Sequence, residues 1–379
     1  MTTLVKAIFS SPAVIYVKFS ELLVLLTIVI VLSAIIILVI FYTTRREKPR
    51  EKADFTEIIK ANSNLQKLEV YFLGWIVEYD SRSKESFYNH HSKFTWVSPT
   101  WYIFDEKIVL VEKFYDEDFV EKCRKWGVKI IPLVANKNFD REIVHKILSD
   151  PSARKSAVNQ VVKLVVERNY DGINIDLENI PPEDRDNLTL FMKLLYEKLH
   201  PLGKLVTIDV PAKTQPTYSG WSGAYDYRAL SNYSDLFIIM IYDYHWAGGE
   251  PGPVSPLDWF SEVLDYALQT VPIEKIVAGI PFYGYDWPEG GRARGLSYSK
   301  AIELANETKA CVKFNKDVGE ACFTYYSGVK KHYVWFQIAK STELRIKIAL
   351  NKGIKKIAAW RIGLEDPKTW QVIEKPEEP

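Results

Sequence analysis

Between Tyr170 and Asn179 the chain reads Y-D-G-I-N-I-D-L-E-N. As a strand, this stretch sends Ile173, Ile175 and Leu177 to one side. Asn174, Asp176 and Glu178 go to the other, because side chains alternate with a period of two. Three polar side chains on one face of a strand flanked by apolar residues are unfavourable in a packed core. They are accommodated if that face opens into a polar cleft. Asp176 and Glu178 then stand side by side, and each raises the pKa of the other by like-charge repulsion. A carboxylic acid kept protonated near working pH is what a general acid needs. The bland alternative is an acidic edge strand without chemistry, and the order of elements below weighs against it.

Three further stretches place polar and aromatic residues where apolar runs end. M-I-Y-D-Y holds Met240, Tyr242 and Asp243, with Met240 and Tyr242 on one face. G-I-P-F-Y-G-Y-D-W holds Tyr283, and A-A-W-R-I-G-L-E-D holds Trp360. Eleven Trp and 22 Tyr are many for 379 residues. Aromatic faces stack on the apolar faces of pyranose rings, although at any single position a core role is the stronger expectation. His90 and His91 lack a further spaced metal ligand and read as loop residues. No phosphate-binding loop and no Ser-His-Asp pattern is visible. The net charge of +1 gives no reason to expect a nucleic-acid partner. Three Cys exclude a disulfide-rich scaffold.

These residues need a frame that brings strand ends together. The pattern predicts strands over 68–76, 95–104, 128–135, 170–179, 204–211, 236–244, 275–283 and 355–363. Amphipathic helices are expected over 117–125, 140–168, 184–200, 257–270 and 342–351. Alternating strands and helices imply a parallel sheet. Their number fits an α/β fold of the (β/α)8 TIM-barrel type better than a doubly wound open sheet. The gap between the seventh and eighth strands exceeds one helix, so a small α+β insertion is expected over about 288–335.

The octapeptide D-G-I-N-I-D-L-E resembles the D-x-x-D-x-D-x-E signature of glycoside hydrolase family 18, the chitinase-like enzymes. Asp171, Asn174, Asp176 and Glu178 are the matching positions, with Asn174 where the family usually has Asp. In this it resembles the branch of spore-cortex and germination N-acetylglucosaminidases. M-x-Y-D at 240–243, the end of the seventh strand and Trp360 resemble the family too. The resemblance implies a glycosidase acting on N-acetylated oligo- or polysaccharides, with no cofactor and no metal. It implies that Glu178 is the acid, that Asp176 orients the substrate's 2-acetamido group, and that Tyr242 donates its hydroxyl to that group. Asn174, Met240, Asp243, Tyr283 and Trp360 would line the sugar site, and Asp171 would be structural. Asn174 cannot share a proton with Asp176 and would serve as a neutral hydrogen-bonding partner. Chitin oligomers, peptidoglycan and glycoprotein glycans all remain open as substrates.

Two expectations lie outside the barrel core. The run 22–42 has no charged residue and is long enough, at roughly 1.5 Å per residue, to cross a bilayer as one helix. The chain therefore divides into an N-terminal segment with a transmembrane anchor (1–43), a charged linker (44–66) and the barrel (67–379). Basic residues follow the run more densely than they precede it, which by the positive-inside rule favours a cytoplasmic barrel. Polymeric N-acetylglucosamine glycans lie outside cells, and a single-pass protein with an extracellular catalytic domain is the expectation. There, Cys311 and Cys322, on either side of a Lys-Asp-Val-Gly turn, would form a disulfide within the insertion.

Overall fold

The computed structural model describes residues 5–6, 16–17, 24, 26–36 and 52–377. It divides into two units, 1–52 and 53–379. In the first, Val5–Lys6 pairs antiparallel with Tyr16–Val17. Residues 26–36 are helical with exposed side chains. Among the described residues no helix is long and apolar enough to cross a membrane. The expected span, 22–42, lies partly outside the described residues, so the anticipated transmembrane helix is not part of the observed fold.

The second unit is a TIM-barrel-like α/β fold. Its strands are β1 (Tyr71–Ile76), β2 (Trp96–Pro99), β3 (Lys129–Ile130 and Leu133–Asn136), β4 (Gly172–Asp176), β5 (Leu205–Pro211), β6 (Leu236–Met240), β7 (Ile276–Pro281) and β8 (Lys356–Trp360). Each pairs in parallel with the next, and β8 pairs with β1, so the ladder runs round on itself. The two pieces of β3 flank Ile131 and Pro132, where proline cannot donate to a ladder.

The period of two sorts the side chains as the sequence reading requires. Ile173, Ile175 and Leu177 join the layer between strands and helices. The opposite faces meet inside the ring, where Leu73, Trp75, Leu133, Ile238, Val277 and Ala358 form a separate cluster. Asn174, Asp176 and Asp209 are buried on that inner side.

Local signals set the helices. Asp116 caps Glu117–Trp126 through the Phe119 N–H at 3.0 Å, and Gly127 closes it at φ 67°. The single helix expected over 140–168 is two helices, Arg141–Ser149 and Pro151–Glu167. Asp150 ends the first and caps the second, and Pro151 fits the first helical position. An unforeseen helix, Ser81–His90, follows β1, capped by Asp80. Within it His90 stacks on Trp370, and His91 beyond it on Trp126, at 4.7 and 4.0 Å between ring centroids.

The insertion is a five-stranded antiparallel sheet in the order Arg294–Leu296, Gly284–Pro288, Lys330–Phe336, Glu320–Ser327, Lys313–Asn315. The helix Tyr298–Thr308 packs on it. Residues expected in the charged stem also pack here: Ile58 is buried in the same cluster, and the Asn62 amide donates to Asp366 at 2.7 Å.

The expected disulfide is absent, and Cys311 and Cys322 are free thiols. Register explains this. Cys322 stands opposite Lys313, which puts Cys311 two positions away on the diagonal. Such neighbours have Cα atoms about 7–8 Å apart, beyond disulfide reach. The backbone of Cys311 forms an isolated parallel β-bridge with that of Asp54. Cys123 is also free and is buried.

Glu320 anchors the insertion to the barrel. Its carboxylate accepts from the backbone N–H groups of Val254 and Ser255 at 2.9 and 2.7 Å, and from Arg345 at 2.7 Å. Both charged residues are essentially inaccessible to solvent. Removing one partner of a buried pair leaves the other uncompensated. Glu320→Ala is therefore expected to destabilise the domain by about 3–5 kcal/mol in urea unfolding. A loss below about 1 kcal/mol would mean that Arg345 finds other partners.

Candidate active site

The functional candidates meet at the carboxyl ends of the strands, where TIM-barrel sites lie. A cavity of about 990 Å³ opens there, lined by Asp176, Glu178, Asp209, Tyr242, Tyr283 and Trp360. Met240 and Asp243 also line it. Five further residues singled out in the sequence, Met240, Tyr242, Asp243, Tyr283 and Trp360, thus share the cavity with Asp176 and Glu178.

Asn174 lies below the cavity and is fully buried. Its amide oxygen accepts from the Trp75 indole N–H at 3.1 Å and the Ser98 hydroxyl at 2.9 Å. Its amide nitrogen donates to Asp209 Oδ1 at 2.9 Å. Asn174 is thus a neutral hydrogen-bonding residue, as its chemistry suggests, and its acidic partner is Asp209. Asp171 stands at the other end of the strand, where its carboxylate accepts from the Ile130 N–H at 2.8 Å and ties β3 to β4.

Burial controls the acids. It pushes the Asp176 carboxyl up to about 7. Asp176 Oδ1 is buried without a hydrogen-bond partner among the described residues. The Glu178 pKa lies well above the usual range, first by burial, then through the charges of Asp176 and Asp243. Like-charge repulsion therefore acts on Glu178, where desolvation exceeds it, whereas for Asp176 burial alone is the cause and the expected mutual effect is one-sided. Asp209 is raised in the same way, first by burial and then by Asp176. The Tyr242 phenol is driven well above its ordinary value, so it remains a hydrogen-bond donor.

Asp243, beyond β6, accepts from the Tyr285 hydroxyl at 2.9 Å and from the Tyr283 hydroxyl. Partial burial raises its pKa, and these two hydroxyls oppose the rise. Tyr242 meets Tyr283 edge-on at 6.1 Å between centroids. On the floor, Trp360 crosses Trp75 at 5.9 Å and 67°.

Several supporting residues escaped the sequence reading. Asn136, at the end of β3, accepts from the Glu178 N–H at 2.9 Å and donates to the Glu178 carbonyl at 3.1 Å, fixing that backbone from both sides. The Tyr225 hydroxyl donates to the Leu177 carbonyl at 2.7 Å. Asp209 had a signal: in T-I-D on β5, Thr207 and Asp209 alternate with apolar residues as Asn174 and Asp176 do on β4. Asn136 and Tyr225 act through backbone contacts that no spacing reveals.

The family model for glycosyl hydrolases family 18 matches residues 38–365. An uncharacterized glycosylase of Bacillus subtilis, YvbX, is 30% identical over 262 residues, covering 67% of this chain and 76% of its own. The cortical fragment-lytic enzyme of Bacillus subtilis is 29% identical over 251 residues, covering 64% and 58%. Among solved structures, a chitinase from Chromobacterium violaceum superposes with a TM-score of 0.74 at 26% identity, covering 80% of this chain and 97% of that one. The chain spans just under three fifths, 59% and 58%, of the length of two curated relatives that it matches. The match takes in every barrel strand and the residues of the cavity, and the chain belongs to glycosyl hydrolases family 18.

Proposed function

We propose that this protein is a retaining glycosidase that cleaves β-linked N-acetylglucosamine-containing glycans with the help of the substrate's own acetamido group. The observation that carries this reading is the buried Asp176–Glu178 pair, with Asp176 Oδ1 unpartnered at the cavity. An acetamido N–H is a donor that oxygen can accept from. Family membership and the names of the relatives support the substrate class.

In the first step the glycosidic C1–O bond breaks as Glu178 passes its proton to the leaving oxygen. The acetamido oxygen bonds to C1 and forms an oxazolinium ion. Asp176 holds the acetamido N–H and opposes the positive charge. Tyr242 donates its hydroxyl to the same group. Water then adds to C1, Glu178 takes its proton, and the acetamide is restored. Glycosidases of this family are exceptions to the two-carboxylate arrangement. Trp360 offers the sugar ring an apolar floor.

Two substitutions test this assignment. Glu178→Gln keeps the shape and removes the proton. It should lower turnover of an N-acetylated oligosaccharide at least about a hundredfold while binding survives. Retention of more than about a tenth of turnover would place the acid elsewhere.

Asp176→Asn tests the coupling. Activity needs Glu178 protonated and is lost as pH rises through its pKa. Asp176 is one of the charges that raise that pKa. Without it, the pKa falls and the basic limb of kcat/KM moves to lower pH. Burial, the larger cause, remains, so only part of the elevation is lost. A basic limb that stays in place or moves upward contradicts the assignment.

Tethering through the apolar run 22–42, with the barrel on the outer face of the membrane, belongs to this reading and rests on the sequence alone. Protease shaving of intact cells carrying the full chain should then digest the barrel along with outer-surface controls. A barrel that survives shaving but is cleaved after lysis has the opposite orientation.

A further inference from the structure

One wall of the cavity is cationic. Arg361 directly follows Trp360 at the end of β8. Arg82 lies in the first turn of the helix after β1, and Lys300 in the first turn of Tyr298–Thr308. All three line the same cavity as Glu178. In ring order, β8 and β1 stand across the mouth from β4 and β5. The loop after β5 and the loop after β6 supply Trp221 and Trp246, both about half exposed, to the cavity. The cavity thus has aromatic surfaces for sugar faces and, separately, a corner of positive charge.

The corner is built and positioned. Arg82 Nε and Nη2 donate to the two Asp80 oxygens at 2.9 and 2.7 Å, and Arg361 Nη2 donates to Asp80 Oδ2 at 2.7 Å. Among these three groups, two guanidiniums on one carboxylate leave an excess of one positive charge; Glu365 is a further acid that acts on Arg82, and Arg82 Nη1 donates to the Ser297 hydroxyl at 3.3 Å. Lys300 is met by Glu303 at 2.5 Å, so it neither adds to nor removes that excess. Arg361 is buried, and its guanidinium sits 5.3 Å from the Tyr79 ring centroid, which fixes its place. It is not saturated: Nη1 makes one long contact, 3.4 Å, to the Ile362 carbonyl, and Nε has no partner among the described residues.

Building on the glycosidase reading above, we propose that Arg82 and Arg361, with Lys300 beside them, form a subsite for a carboxylate on the sugar adjoining the one over Trp360. The preferred substrate is then an acidic N-acetylated glycan and not a neutral homopolymer. A guanidinium fork matches a carboxylate geometrically, and adjacency in the chain puts Arg361 within reach of any glycan that crosses Trp360. A lactyl ether on an N-acetylhexosamine and a uronic acid both supply that group.

Calorimetric titration of the full chain carrying Glu178→Gln tests the subsite without turnover. The probes are three tetrasaccharides: β-1,4-linked N-acetylglucosamine, its alternating copolymer with the 3-O-lactyl derivative, and an alternating copolymer with glucuronate. One acidic probe should bind about tenfold more tightly than the neutral one at low salt, and the preference should shrink near 1 M salt. Which acidic probe wins identifies the source of the carboxylate. Adding Arg82→Gln should collapse the ratio between acidic and neutral probes. The Arg82 side chain is about half exposed, and if this variant fails to fold, Lys300→Gln should reduce the same ratio in part. Equal or tighter binding of the neutral probe overturns the subsite, as does a ratio that the variants leave unmoved. Hydrolysis by the chain with Glu178 intact is read separately. An acidic preference without turnover of any probe sinks the glycosidase reading and keeps the subsite, and turnover without the preference does the reverse.

Discussion

Carboxyl groups resist removal from water, and this barrel removes three of them at the neighbouring ends of β4 and β5. Burial raises Asp176, and it is the first cause for Asp209 and Glu178 as well, which the charge of Asp176 raises further. A carboxyl whose folded pKa exceeds its unfolded value favours folding most at low pH, and that advantage fades as pH rises through the folded value. For Asp176 the window runs from about 4, the ordinary value, to about 7. At neutral pH the site therefore works against the stability of the fold that holds it. Asn174 limits the conflict. As an amide it can accept from Trp75 and Ser98 while donating to Asp209, whereas a second ionised carboxylate there would face Asp209 with no proton between them.

Holding such groups in place requires rigid backbone around them. Asn136 clamps Glu178 at both its N–H and its carbonyl, and Tyr225 takes the carbonyl just before it. Tyr225 itself belongs to a loop pinned by two cations. Lys213 donates to the Tyr225 carbonyl at 2.5 Å, and Arg185 donates to the Gly223 carbonyl and pairs with Asp226, both at 2.9 Å. Burial lowers the Lys213 pKa to about 8, so it remains largely charged at neutral pH. The same loop brings Trp221 to the cavity, so one set of contacts serves both the acid's backbone and the aromatic wall.

What the sequence disclosed follows from periodicity. Alternation on β4 put Asn174 and Asp176 inside and Ile173 and Ile175 outside, and the barrel follows that division. Strand centres were legible because parallel strands buried on both faces read as short apolar runs. The helix Ser81–His90 was not, because S-R-S-K-E-S-F-Y-N-H buries only Ser83 and Phe87 and leaves no apolar stripe. The break at Asp150–Pro151 was visible in principle, since a cap followed by proline starts a helix, yet the apolar pattern continues across it. Cysteine spacing misled for a different reason. It measures distance along the chain, whereas a disulfide depends on register, and register came from pairing that spacing does not encode.

The exit of β6 shows how one residue can join two parts of a site. Asp243 has φ 61°, a left-handed conformation that Asn and Asp adopt more readily than most residues. It turns the chain just after Tyr242, and its carboxylate gathers the hydroxyls of Tyr283 and Tyr285. Tyr283 lies just past β7, and Tyr285 belongs to the first strand of the insertion, Gly284–Pro288. A single side chain thereby links the end of β6, the end of β7 and the insertion sheet. That sheet is bound to the barrel from its far side by Glu320 and Arg345. The insertion contributes Leu296, Ser297 and Lys300 to the cavity. Its anchoring at two separated points fixes the cavity wall relative to Glu178, which a sheet joined only by its two connecting chains could not do.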